Sequence, residues 1–337
     1  MNSDRDAISF GKLIPETTLR AQYTSVTIAS LSSPSHGCRI VLPRSAAHAA
    51  NVEIQSIQKG SLSVIAGYQL TPNVFVQISG TIIEFEINLV DWLDFELQRR
   101  GGSLEAVQAL VDPNGQVVHG NTQGPGPFRG RVAVKSNGCN IILLAGRMPN
   151  DAEADIVETL GLAAASLDLT SPLHQQLIEP LSLYRDQNAN FQFLYPKSWS
   201  IKVVSPRPPS IGAVEIKITN QMDTVSYLRV HFDSSVVAGE PKNEKMKKQL
   251  IEELKNVSVV VSELQQLAPL PERVGMARFS GVVKLPTGEG MVALATQATN
   301  EGCFGVVLVS PGRIMNPLAW MRAKRSFEIV TGSLSKT

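Results

Sequence analysis

Short apolar stretches with two-residue alternation dominate this chain, and helical spacing is confined to a few windows. Between Asn73 and Ser79, Val74, Val76 and Ile78 alternate with Phe75, Gln77 and Ser79, the pattern of a strand with one buried face. Between Ser226 and Phe232, Leu228, Val230 and Phe232 take the inward positions and Tyr227, Arg229 and His231 the outward ones. Further strands are expected at Val26–Ile28, Cys38–Leu42, Val52–Ile57, Leu62–Leu70, Arg129–Lys135 and Asn140–Ala145, the last two joined as a hairpin around Ser136-Asn137-Gly138. The second half adds Phe191–Tyr195, Ile201–Val204, Ala213–Thr219, Thr224–Asp233, Val257–Val261, Gly275–Lys284, Gly290–Gln297 and Phe304–Val309. Leu104–Val111 fits a short helix or a strand. Helical spacing marks Asn88–Arg100, where Leu89, Trp92, Leu93 and Leu97 follow an Asn N-cap and Gly101-Gly102 ends the run. It also marks Glu244–Asn256, with the stripe Met246, Leu250, Ile251 and Leu254. Asp151–Leu169 and Leu318–Phe327, the latter opened by Asn316-Pro317, read as closing helices.

The pattern occurs twice. Cys38-Arg39-Ile40-Val41-Leu42-Pro43-Arg44-Ser45 returns as Phe191-Gln192-Phe193-Leu194-Tyr195-Pro196-Lys197-Ser198: an apolar strand, proline, a basic residue, serine. Ser136-Asn137-Gly138-Cys139 is echoed by Asn300-Glu301-Gly302-Cys303, and Val52-Glu53-Ile54-Gln55 by Val214-Glu215-Ile216-Lys217. Each half reads as strands, a helix, strands and a closing helix, which favours α+β over a doubly wound α/β fold. The expected architecture is two tandem α/β/α-type sandwich domains, each an antiparallel sheet flanked by helices, related by internal duplication. Residues 1–23 form an arm that leads into the first domain at 24–170. A linker at 171–183 precedes the second domain at 184–331, and a tail ends the chain at 332–337. Ser32-Ser33-Pro34-Ser35-His36-Gly37, Asp112-Pro113-Asn114-Gly115 and Gly124-Pro125-Gly126-Pro127 are turns or loops.

Composition narrows the function without naming it. The chain has 337 residues, of which 43% are hydrophobic and 18% charged, enough for two domains with their own cores. Its 31 basic and 30 acidic residues leave a net charge of +1, with no global attraction to nucleic acid or anionic membrane. The charged start lacks an apolar segment of a secretory signal and no apolar run approaches membrane-spanning length, so a cytoplasmic protein without membrane insertion is expected. Three cysteines without CxxC spacing read as reduced thiols on buried strands.

Catalytic signatures are missing from the sequence. His36, His48, His119, His174 and His231 have no metal-ligand spacing, and no GxSxG elbow is present. The prolines of the Gly124–Pro127 loop remove backbone donors that a phosphate cradle needs. The acidic stretch Glu84, Glu86, Asp91, Asp94 and Glu96 reads as a solvated face. Cys139 and Cys303, each after glycine, read as small residues at the start of equivalent buried strands, and Trp199 as a core cap. Arg147 and Arg313, after Gly146 and Gly312, either grip an acidic partner or cap the loop before the last helix. The face Tyr227, Arg229 and His231, with its counterpart Phe75 and Gln77, mixes aromatic and hydrogen-bonding groups and suits a peptide or helix. It can equally be covered by a neighbouring helix or by the other domain. No catalytic, cofactor-binding or metal-binding residue is assigned.

The run Phe191-Gln192-Phe193-Leu194-Tyr195-Pro196-Lys197-Ser198-Trp199 resembles the PsbP-like superfamily, whose members open with an apolar strand, Tyr-Pro and a nearby Trp. The superfamily includes photosystem extrinsic proteins, Ran-binding MOG proteins, DcrB-like proteins and Eag chaperones of type VI secretion effectors. The resemblance covers residues 184–331 and, more faintly, 24–169, where Leu42 and Ala46 stand in place of the Tyr and Trp. It implies an antiparallel sheet flanked by helices, no enzyme active site and a protein partner. A tandem chain looks like a covalent version of the Eag dimer. The expectation is a non-catalytic protein-binding module, an adaptor or chaperone holding a protein or peptide segment such as an apolar helix of a secreted effector. The alternative is an enzyme or small-molecule binder with a site between the domains near Arg147, Arg313 and His231.

Overall fold

The computed structural model describes residues 15–29, 37–50, 52–58, 60–85, 87–112, 115–170, 180–186, 191–203, 211–218, 226–233, 241–268, 275–285, 288–300 and 302–336. The chain divides into two compact units, Met1–Ile178 and Glu179–Thr337. The turns expected at Ser32–Gly37 and Asp112–Gly115 fall largely outside the described residues, as do His36, His174 and Glu86.

The first unit runs α1 (Glu16–Gln22), β1 (Tyr23–Ile28), β2 (Cys38–Pro43), β3 (Ala47–His48), β4 (Ser63–Thr71), β5 (Val74–Ile82), α2 (Leu89–Arg99), β6 (Ser103–Asp112), β7 (Gly115–Gln123), β8 (Phe128–Asn137), β9 (Asn140–Pro149), α3 (Ala154–Ala165) and β10 (Asp168–Leu169). The second runs β11 (Leu181–Asp186), β12 (Phe191–Pro196), β13 (Trp199–Val203), β14 (Ile211–Ile218), β15 (Tyr227–Asp233), α4 (Lys242–Asn256), β16 (Val260–Leu267), β17 (Met276–Leu285), β18 (Gly288–Thr299), β19 (Gly302–Pro311), α5 (Pro317–Ser333) and β20 (Ser335–Lys336). Strand pairing in the second unit thus reaches beyond 184–331 at both ends, through β11 and β20.

Both units are α+β with antiparallel sheets. Each has a seven-stranded sheet, ordered β3-β4-β5-β9-β8-β7-β6 in the first and β13-β14-β15-β19-β18-β17-β16 in the second. Each adds a three-stranded sheet, β1-β2-β10 and β11-β12-β20. Position for position the two strand orders are the same.

The inward alternation read from the sequence builds the main cores. In the first unit Val74, Val76 and Ile78 of β5 pack with Ile40 and Leu42 of β2 and with Leu160 and Ala163 of α3. In the second, Leu228, Val230 and Phe232 of β15 meet Phe191 and Phe193 of β12, Trp199, and Phe327 and Val330 of α5. Phe191 stands at the centre of an aromatic cluster, 5.7 Å edge-on from Phe304 and 6.2 Å from Phe193. Two helices, α2 and α5, start at an Asn cap. Asn88 accepts from the Val90 amide at 2.9 Å and Asn316 from the Ala319 amide at 3.1 Å, with Pro317 in the first turn. α2 stops because Gly101, at φ +76°, takes a left-handed conformation that other residues disfavour.

Two local expectations change and one left open is settled. Val52–Ile57 forms no strand, and Leu104–Val111, which fitted either a helix or a strand, is part of the edge strand β6. The closing segment Asp151–Leu169 is helical only over α3, because Asp168–Leu169 pairs with Arg39 and Cys38 of β2. That pairing is reinforced by charge. Lys135, on β8 and 5% exposed, donates to Asp168 at 3.0 Å, and Arg39 donates to the same carboxylate at 3.1 Å. Burial alone would raise the Asp168 pKa, but the hydrogen bonds and charges of Lys135 and Arg39 together hold it below its usual value.

All three cysteines are free and buried. Burial pushes the Cys38 thiol up to about 12, and burial is also the main reason that Cys303 reaches about 11. Both should therefore resist iodoacetamide at pH 8 in the native protein and react fully in urea, as read by mass spectrometry. A depressed carboxylate stabilises the fold above its unfolded pKa and loses that contribution as the pH falls. Asp168→Asn should cost about 1 kcal/mol at pH 7, the solvent exposure of Asp168 keeping the loss at the low end of charged hydrogen bonds. The difference from wild type in the urea midpoint should shrink as the pH drops below about 4.

Candidate functional site

The two hairpins that carry the central strands set the correspondence between the units. β8 and β9 close with Asn137 opposite Asn140, and β18 and β19 with Thr299 opposite Gly302. β9 and β19 then end at Pro149 and Pro311. In this register Cys139 lies in the hairpin turn while Cys303 lies inside β19, so the two cysteines are not equivalent. Nor are the two arginines. Arg147 is a residue of β9 whose counterpart in β19 is Val309, whereas Arg313 follows the strand, its guanidinium 5.4 Å from the Trp320 ring. Both hairpins close with a two-residue turn, so matching the Gly-Cys and Gly-Arg pairs slides the second unit off this register, by two residues at the cysteines and four at the arginines. The Val52–Gln55 echo fails for a related reason, since its second member lies in β14 and its first in no strand.

The sheet face opposite the main core is where the units diverge. Across β4-β5-β9-β8-β7 one row reads Gln69, Phe75, Arg147, Gly130, Thr122, and the next Gly67, Gln77, Ala145, Val132, Gly120. The matching rows across β14-β15-β19-β18-β17 read Lys217, Tyr227, Val309, Val292, Gly281 and Glu215, Arg229, Val307, Leu294, Phe279. In the second unit Val309, Val292, Val307, Leu294 and Phe279 form an apolar floor, and α4 lies on it through Met246, Leu250 and Leu254. The outward face Tyr227, Arg229 and His231 is therefore not open. Tyr227 packs against this cluster. Arg229 donates to Glu253 of α4 at 3.2 Å, and His231, 3% exposed, has its Nε2 3.2 Å from the same carboxylate. Of the readings left open by the sequence, the covering helix is the one found, and His231 is withdrawn from any surface.

In the first unit α2 packs instead against β6 and β7, at the sheet's edge. The rows over β5 and β9 stay bare and line a groove of about 410 Å³. Phe75 remains 39% exposed on a central strand. Arg147 is exposed and its guanidinium stacks 3.7 Å from the Phe128 ring centroid. Leu97, Arg100 and Gly102 at the end of α2 form one wall, and Gly124, Pro125 and Phe128 another. The Gly124–Pro127 loop is the β7–β8 connection, closed by the Gly124 amide on the Phe128 carbonyl at 2.9 Å. Three arginines, Arg100, Arg129 and Arg147, and no acidic residue line the groove among the described residues. Burial lowers the Arg100 pKa, with Arg99 adding to the effect and Glu96 opposing it, and the group stays charged at neutral pH.

Thus Phe75, Gln77 and Arg147 come together in one groove, while Tyr227, Arg229 and His231 lie beneath a helix and Arg313 stands elsewhere. Phe128, Arg100, Gly130 and Ala145 were missed. A signal for two of them existed, since glycine and alanine stand in mid-strand where the other half has Val292 and Val307. Among the described residues the groove lining holds no histidine, cysteine or carboxylate, and no group of three or more His, Cys, Asp or Glu is placed to hold a metal ion. No helix of the described residues is long and apolar enough to cross a membrane.

The different coverage is measurable. Phe75→Ser on the bare face should change stability by no more than about 0.5 kcal/mol. Leu250→Ala on the buried face of α4 should cost about 2–5 kcal/mol. Denaturant midpoints for the two variants read both.

No protein-family model and no curated protein matches the chain. Among solved structures it is similar to cyanobacterial PsbP from Synechocystis sp. PCC 6803, at 12% identity and TM-score 0.33, over 47% of this chain and 92% of that one. It is also similar to TplEi, an immunity protein of the type VI secretion system of Pseudomonas aeruginosa, at 12% identity and TM-score 0.26, over 93% and 97% of the two chains. TplEi complexed with an "L" peptide gives 11% identity and TM-score 0.24, over 93% and 98%. At such scores neither residues nor partners transfer to this chain, whose site has to be read from its own geometry.

Proposed function

We propose that this chain is a non-catalytic protein-binding module whose first unit receives a segment of a partner protein in the groove over β5, β9 and β8. The observation that carries this reading is the bare face itself. Phe75 and Arg147 are exposed at the middle of a sheet whose twin in the second unit buries the same two rows beneath a helix. An aromatic side chain, a stacked arginine and a small-residue floor are the groups that anchor protein contacts, where aromatic residues and arginine dominate binding energy. The lining offers neither an acid–base pair nor a nucleophile next to a base, which a catalytic reading would need.

The shared strand order of the two units supports reading them as copies of one domain in which only the second keeps its face covered. Among the roles implied by the sequence resemblance, an adaptor or chaperone that shelters a partner segment fits a groove of this kind. A secreted effector as that partner rests on the resemblance alone. The groove does not present the all-apolar surface that an apolar helix would ask for, since arginines line it.

A photo-crosslinking amino acid at Gln77, in the cells that make the protein, tests the reading. One protein should crosslink in near-stoichiometric yield from Gln77 and not from Lys202 in the second unit, and Ala145→Trp, which fills the groove, should abolish it. A crosslinking pattern that Ala145→Trp leaves unchanged would sink the proposal.

A further inference from the structure

The rows that are bare in the first unit hold, in the second, a helix whose side chains show what such a face accepts. α4 sets Met246, Leu250 and Leu254 on the sheet, one residue per turn, and all three are buried. It passes close over Gly305, where an added Cβ would lie 2.6 Å from the Met246 sulfur. Its carboxylate Glu253 takes the Arg229 guanidinium at 3.2 Å. The pattern is an apolar stripe plus one acid aimed at a cation on the central strands.

The first unit rearranges these parts without discarding them. Leu143 stands where Gly305 admits Met246, so a helix seated as α4 is has no room there. The small floor has moved to Gly130 and Ala145, under the open groove. The cation has moved as well. Gln77 replaces Arg229, and Arg147 replaces Val309 on the adjacent row. Arg147 is held by its stack on Phe128 and has no carboxylate partner among the described residues. With Arg100 and Arg129 also lining the groove and no acid in its lining among the described residues, a basic segment is repelled and a neutral one leaves Arg147 without a counter-charge.

Backbone chemistry selects the form of the ligand. The groove lies over the face of β5, β9 and β8, each already paired on both sides, so no strand edge is free there to receive an added strand. An extended peptide laid on that face would bury its own unpaired amides and carbonyls. A helix satisfies its backbone internally and meets the face with side chains alone.

Resting on the protein-binding reading above, we infer that the first unit's groove binds an amphipathic α-helix of a partner protein that carries a carboxylate beside its apolar stripe, and that Arg147 takes this carboxylate. The partner helix occupies the face that α4 covers in the second unit, displaced from the α4 position towards Gly130 and Ala145.

Three synthetic helical peptides test this. Each carries leucines at the spacing of Met246, Leu250 and Leu254, and the position of Glu253 holds glutamate, glutamine or lysine. Fluorescence anisotropy with the full-length chain at low salt reads the affinities. The glutamate peptide should bind tightest and the glutamine peptide about 10- to 100-fold more weakly. Arg147→Glu, at an exposed position that leaves the core intact, should reverse the order so that the lysine peptide binds best. Ala145→Trp should abolish binding of all three. Equal binding of the glutamate and glutamine peptides, or an order that survives Arg147→Glu, would overturn the inference. If no peptide binds while Gln77 still crosslinks a protein, the acidic-helix inference falls and the protein-binding reading stands. If Gln77 captures nothing either, both fall.

Discussion

A helix that lies on a β-sheet needs side chains beneath it that fill the space between the two backbones. In an antiparallel sheet those side chains come in cross-strand rows two residues apart, so a few positions on neighbouring strands decide what the face can carry. Here the decisive positions are the two rows over β5-β9-β8 and β15-β19-β18. Val309, Val292, Val307 and Leu294 make a floor that α4 closes. Arg147, Gly130, Ala145 and Val132 leave a groove. The candidate site, the different seats of α2 and α4, and the burial of His231 all follow from that substitution of one floor for another.

The opposite faces of both sheets show no such divergence. β2 with α3, and β12 with α5, cover apolar alternation that is complete along the central strands. Closure of the first unit adds one buried cation, Lys135, neutralised by Asp168 on β10. Each sheet thus has a face held by dense apolar packing, which lends the strands rigidity, and a second face free to vary. Binding residues placed on such strands keep their geometry, since the pairing of β5 with β4 and β9 fixes where Phe75 and Arg147 stand.

Much of this was legible beforehand. The alternation in Asn73–Ser79 and Ser226–Phe232 identified β5 and β15 and their inward residues, and the capped, striped windows identified α2 and α4. What failed did so for a physical reason. The Gly-Cys and Gly-Arg pairs looked equivalent because linear matching ignores strand register, which the hairpin closures at Asn137–Asn140 and Thr299–Gly302 set. Leu104–Val111 could not be assigned because a short apolar run on an edge strand has no strict period.

The chain alone determined the central strands and the capped helices, which side of each central strand is apolar, and that the two halves read alike, because periodicity and capping are local properties. It also placed Phe75, Gln77 and Arg147 among the residues of interest. Only the tertiary structure decided which outward face is covered, because Tyr227-Arg229-His231 and Phe75-Gln77-Ser79 alternate alike and differ only in what lies over them. That depends on where the following helix finds its floor. The floor is assembled from β8 and β9 in one unit and β18 and β19 in the other, strands far along the chain from the helix that rests on them or passes them by.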